Sequence, residues 1–145
     1  MASAPKSKIA NLKSKMSKGV YHLLIHLPQD KVIQVGKLGS FHFRAGYYVY
    51  TGSALSGLKS RITRHLRREK RLHWHIDYLL QYGCVIDVIT HRTTERLECH
   101  FNREILSLLD CDIPVKGFGS SDCSCLSHLI YFEEKPHIPH YSKDC

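Results

Sequence analysis

Apolar and polar positions along the chain fall into short blocks with two periods, and these blocks predict the elements. Residues 19–28 (GVYHLLIHLP) are an apolar run closed by Pro28, which predicts a strand. Residues 30–36 (DKVIQVG) alternate and read as its hairpin partner, with Pro28, Gln29 and Asp30 as the turn. Residues 40–51 (SFHFRAGYYVYT) alternate again, with aromatics at 41, 43, 47, 48 and 50, and predict a third strand bent at Gly46. Residues 52–57 (GSALSG) read as a turn.

From there the period changes. Leu58, Ile62 and Leu66 recur every four residues and predict a helix over 58–69 whose other faces are basic. Residues 77–82 (DYLLQY) predict a second, short helix closed by Gly83, and 84–90 (CVIDVIT) a buried strand. Residues 94–109 predict a third helix, with Thr94 as N-cap and an apolar stripe of Leu97, Phe101, Ile105 and Leu108. A loop over 114–125 leads to a last strand over 128–132. The polar, proline-bearing segment 133–145 is expected to be poorly ordered. No internal repeat is present. Strands first, then helices and strands mixed, predict an α+β fold of one sheet with helices packed against it.

Length and charge narrow this picture. The 145 residues suit a single domain with a real core. No stretch is apolar for long enough to span a membrane. Residues 1–18 carry Lys6, Lys8, Lys13, Lys15 and Lys18 with no acid and no apolar middle region, so they read as a flexible basic arm and not a secretion leader. Six cysteines without such a leader point to a reducing, cytoplasmic compartment, where thiols serve as core residues, metal ligands or reactive groups. The net charge of +8 is polarised: residues 1–72 hold 15 Lys and Arg against 2 acids, and residues 73–145 hold 6 against 11. A basic half draws polyanions by counterion release, and an acidic half can supply metal ligands. A nucleic-acid partner is the expectation, the alternative being a merely soluble basic protein.

Four groups of residues could carry chemistry. Tyr21, in Gly19-Val20-Tyr21, and Tyr50, in Tyr50-Thr51-Gly52, stand at strand ends beside glycine, where a phenol can reach a ligand; taken singly, each is also an ordinary core residue. Arg61 and His65 share one edge of the stripe on the basic helix, where a guanidinium can point into a site and grip a phosphate. Lys59, Arg64, Arg67, Arg68, Lys70 and Arg71 continue that charge toward His73 and Trp74. They are either a solvated face or a nucleic-acid surface, with Trp74 stacking on a base. On the third helix, Glu98 falls inside the apolar sector, while Glu95 and Asn102 lie toward solvent. A carboxylate so placed needs a partner, either a base such as Arg61 or a divalent ion. Cys123, Cys125 and His128, with Cys99 from elsewhere in the chain, could bind Zn²⁺ or could be buried residues shaping a loop.

Taken in order, Gly19-Val20-Tyr21, Tyr50-Thr51-Gly52, Arg61, His65 and Glu98 resemble the GIY-YIG nuclease superfamily. The longer runs GVYHLLIHL, GYYVYTGSAL, RHLRREKRLHWHIDYLL, ERLEC and GFGSSDCSCLSHL resemble one small family within it, sometimes attached to DNA-repair glycosylases. The resemblance covers residues 19–132. It implies a mostly antiparallel central sheet flanked by helices, with an extra strand between the two tripeptide motifs. It also implies hydrolysis of a phosphodiester with Mg²⁺ or Mn²⁺. Glu98 would hold the metal, Tyr21 would act as general base and Tyr50 would position phosphate or water. Arg61 would stabilise the transition state, and His65 would orient Tyr21 or relay its proton. The superfamily's late asparagine has no clear counterpart here; Gly119-Ser120-Ser121-Asp122 occupies that region, where Asp122 would either replace it or bind a second ion. The expectation is a metal-dependent endonuclease, with DNA favoured as substrate. The alternatives are a non-cleaving DNA- or RNA-binding accessory module depending on Arg64, Arg67 and Arg68, and a zinc-stabilised interaction protein.

Overall fold

The computed structural model describes residues 18–54, 57–108, 110–120 and 123–138. The basic arm up to residue 17, Leu109, Asp122 and Cys145 lie outside the described residues.

The architecture is α+β: a central antiparallel sheet of five strands flanked by three helices. The strands are β1 (Gly19–Leu27), β4 (Gly46–Ala54), β5 (Cys84–Arg92), β6 (Cys111–Asp112) and β7 (Leu129–Phe132), in the order β5-β1-β4-β7-β6. β2 (Lys31–Val35) and β3 (Gly39–Phe43) form a separate two-stranded sheet, joined by one 3-10 turn (Gly36–Leu38). The helices are α1 (Leu58–Leu66), α2 (His75–Leu79) and α3 (Glu98–Leu106).

β1 is an interior strand between β5 and β4, and only His26 along it is not buried. Both of its faces are therefore covered, and the period of two divides them. Tyr21, Leu23, Ile25 and Leu27 join a core with Tyr50, Leu58, Ile62, Ile76, Leu79 and Phe118. Leu24 joins a second core with Val49, Ile89, Ile105 and Ile130. The small β2–β3 sheet is held by docking. Ile33, Val35 and Phe43 are buried in the first core, each contributing about 1.5–3 kcal/mol, whereas a lone hairpin is marginal.

Four expectations are corrected. β2 does not pair with β1, whose two edges are taken by β4 and β5; β2 pairs with β3 across the 3-10 turn. The predicted strand over 40–51 is two strands in different sheets, parted at Arg44 and Ala45. There the Ala45 N–H donates to Asp30, the Tyr48 and Tyr131 hydroxyls donate to the freed carbonyls, and Gly46 adopts φ +145°. The insert between the tyrosine motifs is thus a docked sheet of its own and not one extra strand. The third helix begins at Glu98, not Thr94, because the Thr93 hydroxyl accepts the Glu95 N–H in a local turn. Finally, the tail is ordered at least to Ile138, which is buried in the second core.

Candidate active site

Antiparallel pairing of β1 with β4 sets Tyr21 opposite Gly52 and brings Tyr50 onto the same face. The two phenol rings lie 6.4 Å apart. Helix α1 crosses that face through Leu58, Ile62 and His65, which are its buried residues. The stripe thus turns at its last step from Leu66 to His65, and the imidazole faces inward. Its Nε2 lies 2.6 Å from the Tyr21 hydroxyl. Arg61, one turn earlier, donates to the Ser53 carbonyl at 2.9 Å and stacks over Trp74 at 4.5 Å.

These groups surround a cleft of about 300 Å³. Tyr50, Arg61 and Glu98 are in its walls, with Gly52 and Ser53 from β4, His73, Trp74 and His75 leading into α2, and Gly119 from the late loop. Tyr21 and His65 are not part of the wall; they lie beneath it. The Tyr21 phenol packs against Gly52, a lining residue of the cleft, where a Cβ would stand 2.5 Å from the Tyr21 hydroxyl.

Burial governs the protonation of this group. It drives the Tyr21 phenol well above its ordinary value, and the Arg61 guanidinium offsets only part of this. Burial, then the neighbouring Tyr21 and Glu98, raise Tyr50 as well. Burial, reinforced by Lys70, lowers His65 to about 3, so its imidazole is neutral. His65 Nδ1 has no hydrogen-bond partner among the described residues. The Tyr21 hydroxyl and His65 Nε2 share one hydrogen bond between two neutral groups.

Glu98 reaches the cleft for a reason other than the expected one. The predicted apolar sector assumed a helix from residue 94, but Glu98 is the first residue of α3, where a carboxylate suits the positive end of the helix dipole. Its Oε2 lies 2.6 Å from His128 Nδ1. Asn102, expected toward solvent, is buried and donates to the Ser127 carbonyl at 2.8 Å. The chain around His128 is thereby tied to α3, while the His128 carbonyl accepts from Thr51 at the end of β4.

His128 is also one of four residues that could hold a metal such as zinc. The donor atoms of Cys99, Cys123, Cys125 and His128 all lie within 4.8 Å of one another. The five cysteines among the described residues are unpaired thiols. Burial and the neighbouring Cys125 and Cys123 push the Cys99 thiol up to about 12. Burial also acts to raise Cys125, but contacts with Cys99, His128 and Cys123 outweigh it and lower the thiol. Burial opposes charge on His128, and Glu98 and Cys125 overcome it, so the imidazole is raised above its ordinary value.

The basic residues divide. Arg64 is committed: it donates to both oxygens of Asp77 at 2.9 and 3.0 Å and to the Arg71 carbonyl, and it lies 4.3 Å from the Trp74 ring. Lys70 caps the end of α1 through the Arg64 and His65 carbonyls. Trp74 carries two guanidinium groups against its ring. Lys59, Arg67, Arg68, Arg71 and His73 are exposed, and of these His73 lines the cleft.

Sequence reasoning missed Asp77. It is fully buried, and besides Arg64 it accepts the backbone N–H groups of His73 and Trp74 at 2.8 and 2.9 Å. Burial raises its carboxyl, but these donors overcome that and hold it below its ordinary value. Asp77 thus fixes the segment that presents His73, Trp74 and His75. Its one visible mark is that it is the single acid between Glu69 and Asp87, in a basic stretch. The role of His75 was missed too: its Nδ1 accepts the Gly119 N–H at 2.9 Å and docks the late loop on α2.

A family model described as a domain of unknown function, DUF123, matches residues 20–145. Comparison with curated proteins and with solved structures returned no match.

Proposed function

The chain belongs to the DUF123 family, and we propose that it is a GIY-YIG-type nuclease that hydrolyses phosphodiester bonds in nucleic acid with the help of a divalent metal. The observation that carries this reading is the meeting of Tyr21, Tyr50, Arg61, His65 and Glu98, from four separate elements, in and directly beneath one cleft. DNA is the favoured substrate, in a repair or processing role, on the resemblance to GIY-YIG nucleases.

The donor set fits Mg²⁺ or Mn²⁺. Such ions take one or two carboxylates and complete their shell with water and substrate phosphate. Glu98 is the carboxylate in the cleft wall, and only one of its oxygens is engaged by His128. The ion, when bound, would neutralise charge on the scissile phosphate and on the leaving oxygen.

The protein's own groups divide the remaining work. Arg61 is anchored by Ser53 and Trp74, so it meets a phosphate oxygen already oriented. It stabilises the charge that grows on that phosphate in the transition state. Tyr21, as phenolate, takes a proton from the attacking water beside Gly52. Burial disfavours the phenolate and the Arg61 guanidinium favours it, and the phenol's own proton passes to His65 Nε2 as the phenolate forms. Tyr50 orients the phosphate or the water. The exposed Lys59, Arg67, Arg68 and Arg71 hold the polyanion against the cleft. No helix among the described residues is long and apolar enough to cross a membrane, and the free thiols suit a reducing, cytoplasmic compartment.

One observation favours a second reading. The Tyr21 phenol is buried and held protonated in the resting state, which would equally suit a non-cleaving binding module. Incubation with plasmid, branched DNA and RNA, with Mg²⁺ or Mn²⁺, separates the two. A nuclease cuts at least one of them and loses the activity in Glu98→Ala. A binding module cuts none, and it binds with a salt dependence that survives Glu98→Ala and weakens in Arg67→Ala/Arg68→Ala.

A further inference from the structure

We propose that Cys99, Cys123, Cys125 and His128 hold one Zn²⁺, and that Glu98, by gripping His128, is shared between that ion and the cleft. The zinc centre stands on its own geometry; the sharing deepens the nuclease reading and rests on it.

The distances fit. Tetrahedral zinc with bonds of about 2.3 Å to sulfur and about 2.0–2.1 Å to nitrogen places its sulfur and nitrogen ligands roughly 3.5 Å apart and its sulfurs roughly 3.8 Å apart. His128 Nε2 lies 3.5 Å from Cys123 Sγ and 3.7 Å from Cys99 Sγ, and all four donors fall within 4.8 Å. The quartet is nearly at binding distance, and a bound ion would draw it in by a few tenths of an ångström.

The surroundings fit as well. His128 is 1% exposed, and its other nitrogen makes an ion-pair contact of 2.6 Å with Glu98 Oε2 that falls short of hydrogen-bond geometry. A zinc-bound histidine characteristically donates its free N–H to a carboxylate, which fixes the tautomer and aims the opposite lone pair at the metal. Among the described residues between Phe118 and His128 the large apolar side chain, Leu126, is exposed, so none of them anchors the loop in the core after Phe118. An ion held by Cys123, Cys125 and His128 from this side and by Cys99 from α3 would staple it to the helix.

The two ions sort by chemistry. Three thiolates and an imidazole suit zinc, whereas a carboxylate beside a phosphate suits Mg²⁺ or Mn²⁺. The consequence lies at Glu98. With zinc in place, the His128 ring is fixed, and so is the carboxylate oxygen that it holds; the second oxygen is left for the cleft. Loss of zinc would release the ring and, with it, the orientation of Glu98.

The test is metal analysis of the full chain, purified under reducing conditions without chelator. One zinc per chain is expected. Cobalt substitution should give the intense visible absorption of a tetrahedral thiolate site, a readout that needs no variant. Glu98→Gln should keep the fold by circular dichroism and bind zinc about 10–100-fold more weakly in competition with a chelating dye. Cys123→Ser should lose stoichiometric metal. Protein without bound metal, no thiolate spectrum with cobalt, or a disulfide among these cysteines would overturn the zinc centre. Unchanged zinc affinity in Glu98→Gln would overturn the sharing. Zinc that depends on Glu98 in a protein that cuts nothing would instead remove only the nuclease reading, and cutting by a zinc-free protein would remove only this inference.

Discussion

Replacing Gly52 by alanine tests whether the floor of the cleft depends on a missing side chain. A Cβ at Gly52 would stand 2.5 Å from the Tyr21 hydroxyl and 2.6 Å from Cζ, against 3.4–4 Å for ordinary contact. The ring has little room to give. It is 1% exposed, packs 5.4 Å from the His65 ring and 6.4 Å from that of Tyr50, and is tied through its hydroxyl to His65. Overpacking of this kind costs about 1–3 kcal/mol, and loss of the buried hydrogen bond adds about 1 kcal/mol. Removing a glycine from a strand works the other way by about 0.5–1 kcal/mol and is the smaller effect. Gly52→Ala is therefore expected to lose about 1–3 kcal/mol, read as a lower urea midpoint with an unchanged slope. In a Tyr21→Leu background the shorter side chain leaves space, and the penalty should shrink by about 1 kcal/mol or more. A Gly52→Ala protein within about 0.5 kcal/mol of the parent, or an equal penalty in both backgrounds, would refute the reasoning.

Asp77→Ala strands the Arg64 guanidinium and two backbone N–H groups. Arg64 keeps some solvent, so the loss should lie near the lower end of the roughly 3–5 kcal/mol typical of breaking a buried pair, with Asp77→Asn recovering part of it; full stability in Asp77→Ala by chemical denaturation would count against the hub. His22 and His65 are both lowered to about 3, chiefly by burial. Their folded values lie below the unfolded value of about 6.5, so unfolding takes up protons between these limits. Stability is therefore full above about pH 6.5 and falls toward pH 3, by up to about 2.7 kcal/mol per pH unit for the two together. Urea midpoints that stay level from pH 7.5 to 4.5 would contradict this.

The fold class and the residues that meet at the cleft are legible in the sequence, but the strand order is not. Tyr21, Tyr50, Arg61, His65 and Glu98 can be picked out in order because their motifs are local. Which strands pair is a different matter. The alternation in 30–36 places a strand but not its neighbour, and a nearby proline turn suggested β1. β1 is buried on both faces and takes both its partners from later in the chain, β4 and β5, which no local pattern encodes. The case of Glu98 is instructive. The residue was singled out from a helical wheel whose starting point was four residues too early, and it matters because it opens the helix and grips His128. Cys99 could be named beside Cys123, Cys125 and His128 only as one option, because 24 positions of chain separate it from Cys123. The interior role of Asp77 is likewise tertiary, since its donors come from two segments brought together by folding.

The central claim is that the groups around the cleft cut nucleic acid. The most direct measurement compares the parent protein with Tyr21→Phe and Arg61→Ala on plasmid, branched DNA and RNA, with Mg²⁺ or Mn²⁺ and with chelator. The prediction is metal-dependent cleavage of at least one substrate, abolished by Tyr21→Phe and slowed about 10²–10³-fold by Arg61→Ala. No cleavage of any substrate, or both variants cutting as fast as the parent, would contradict it.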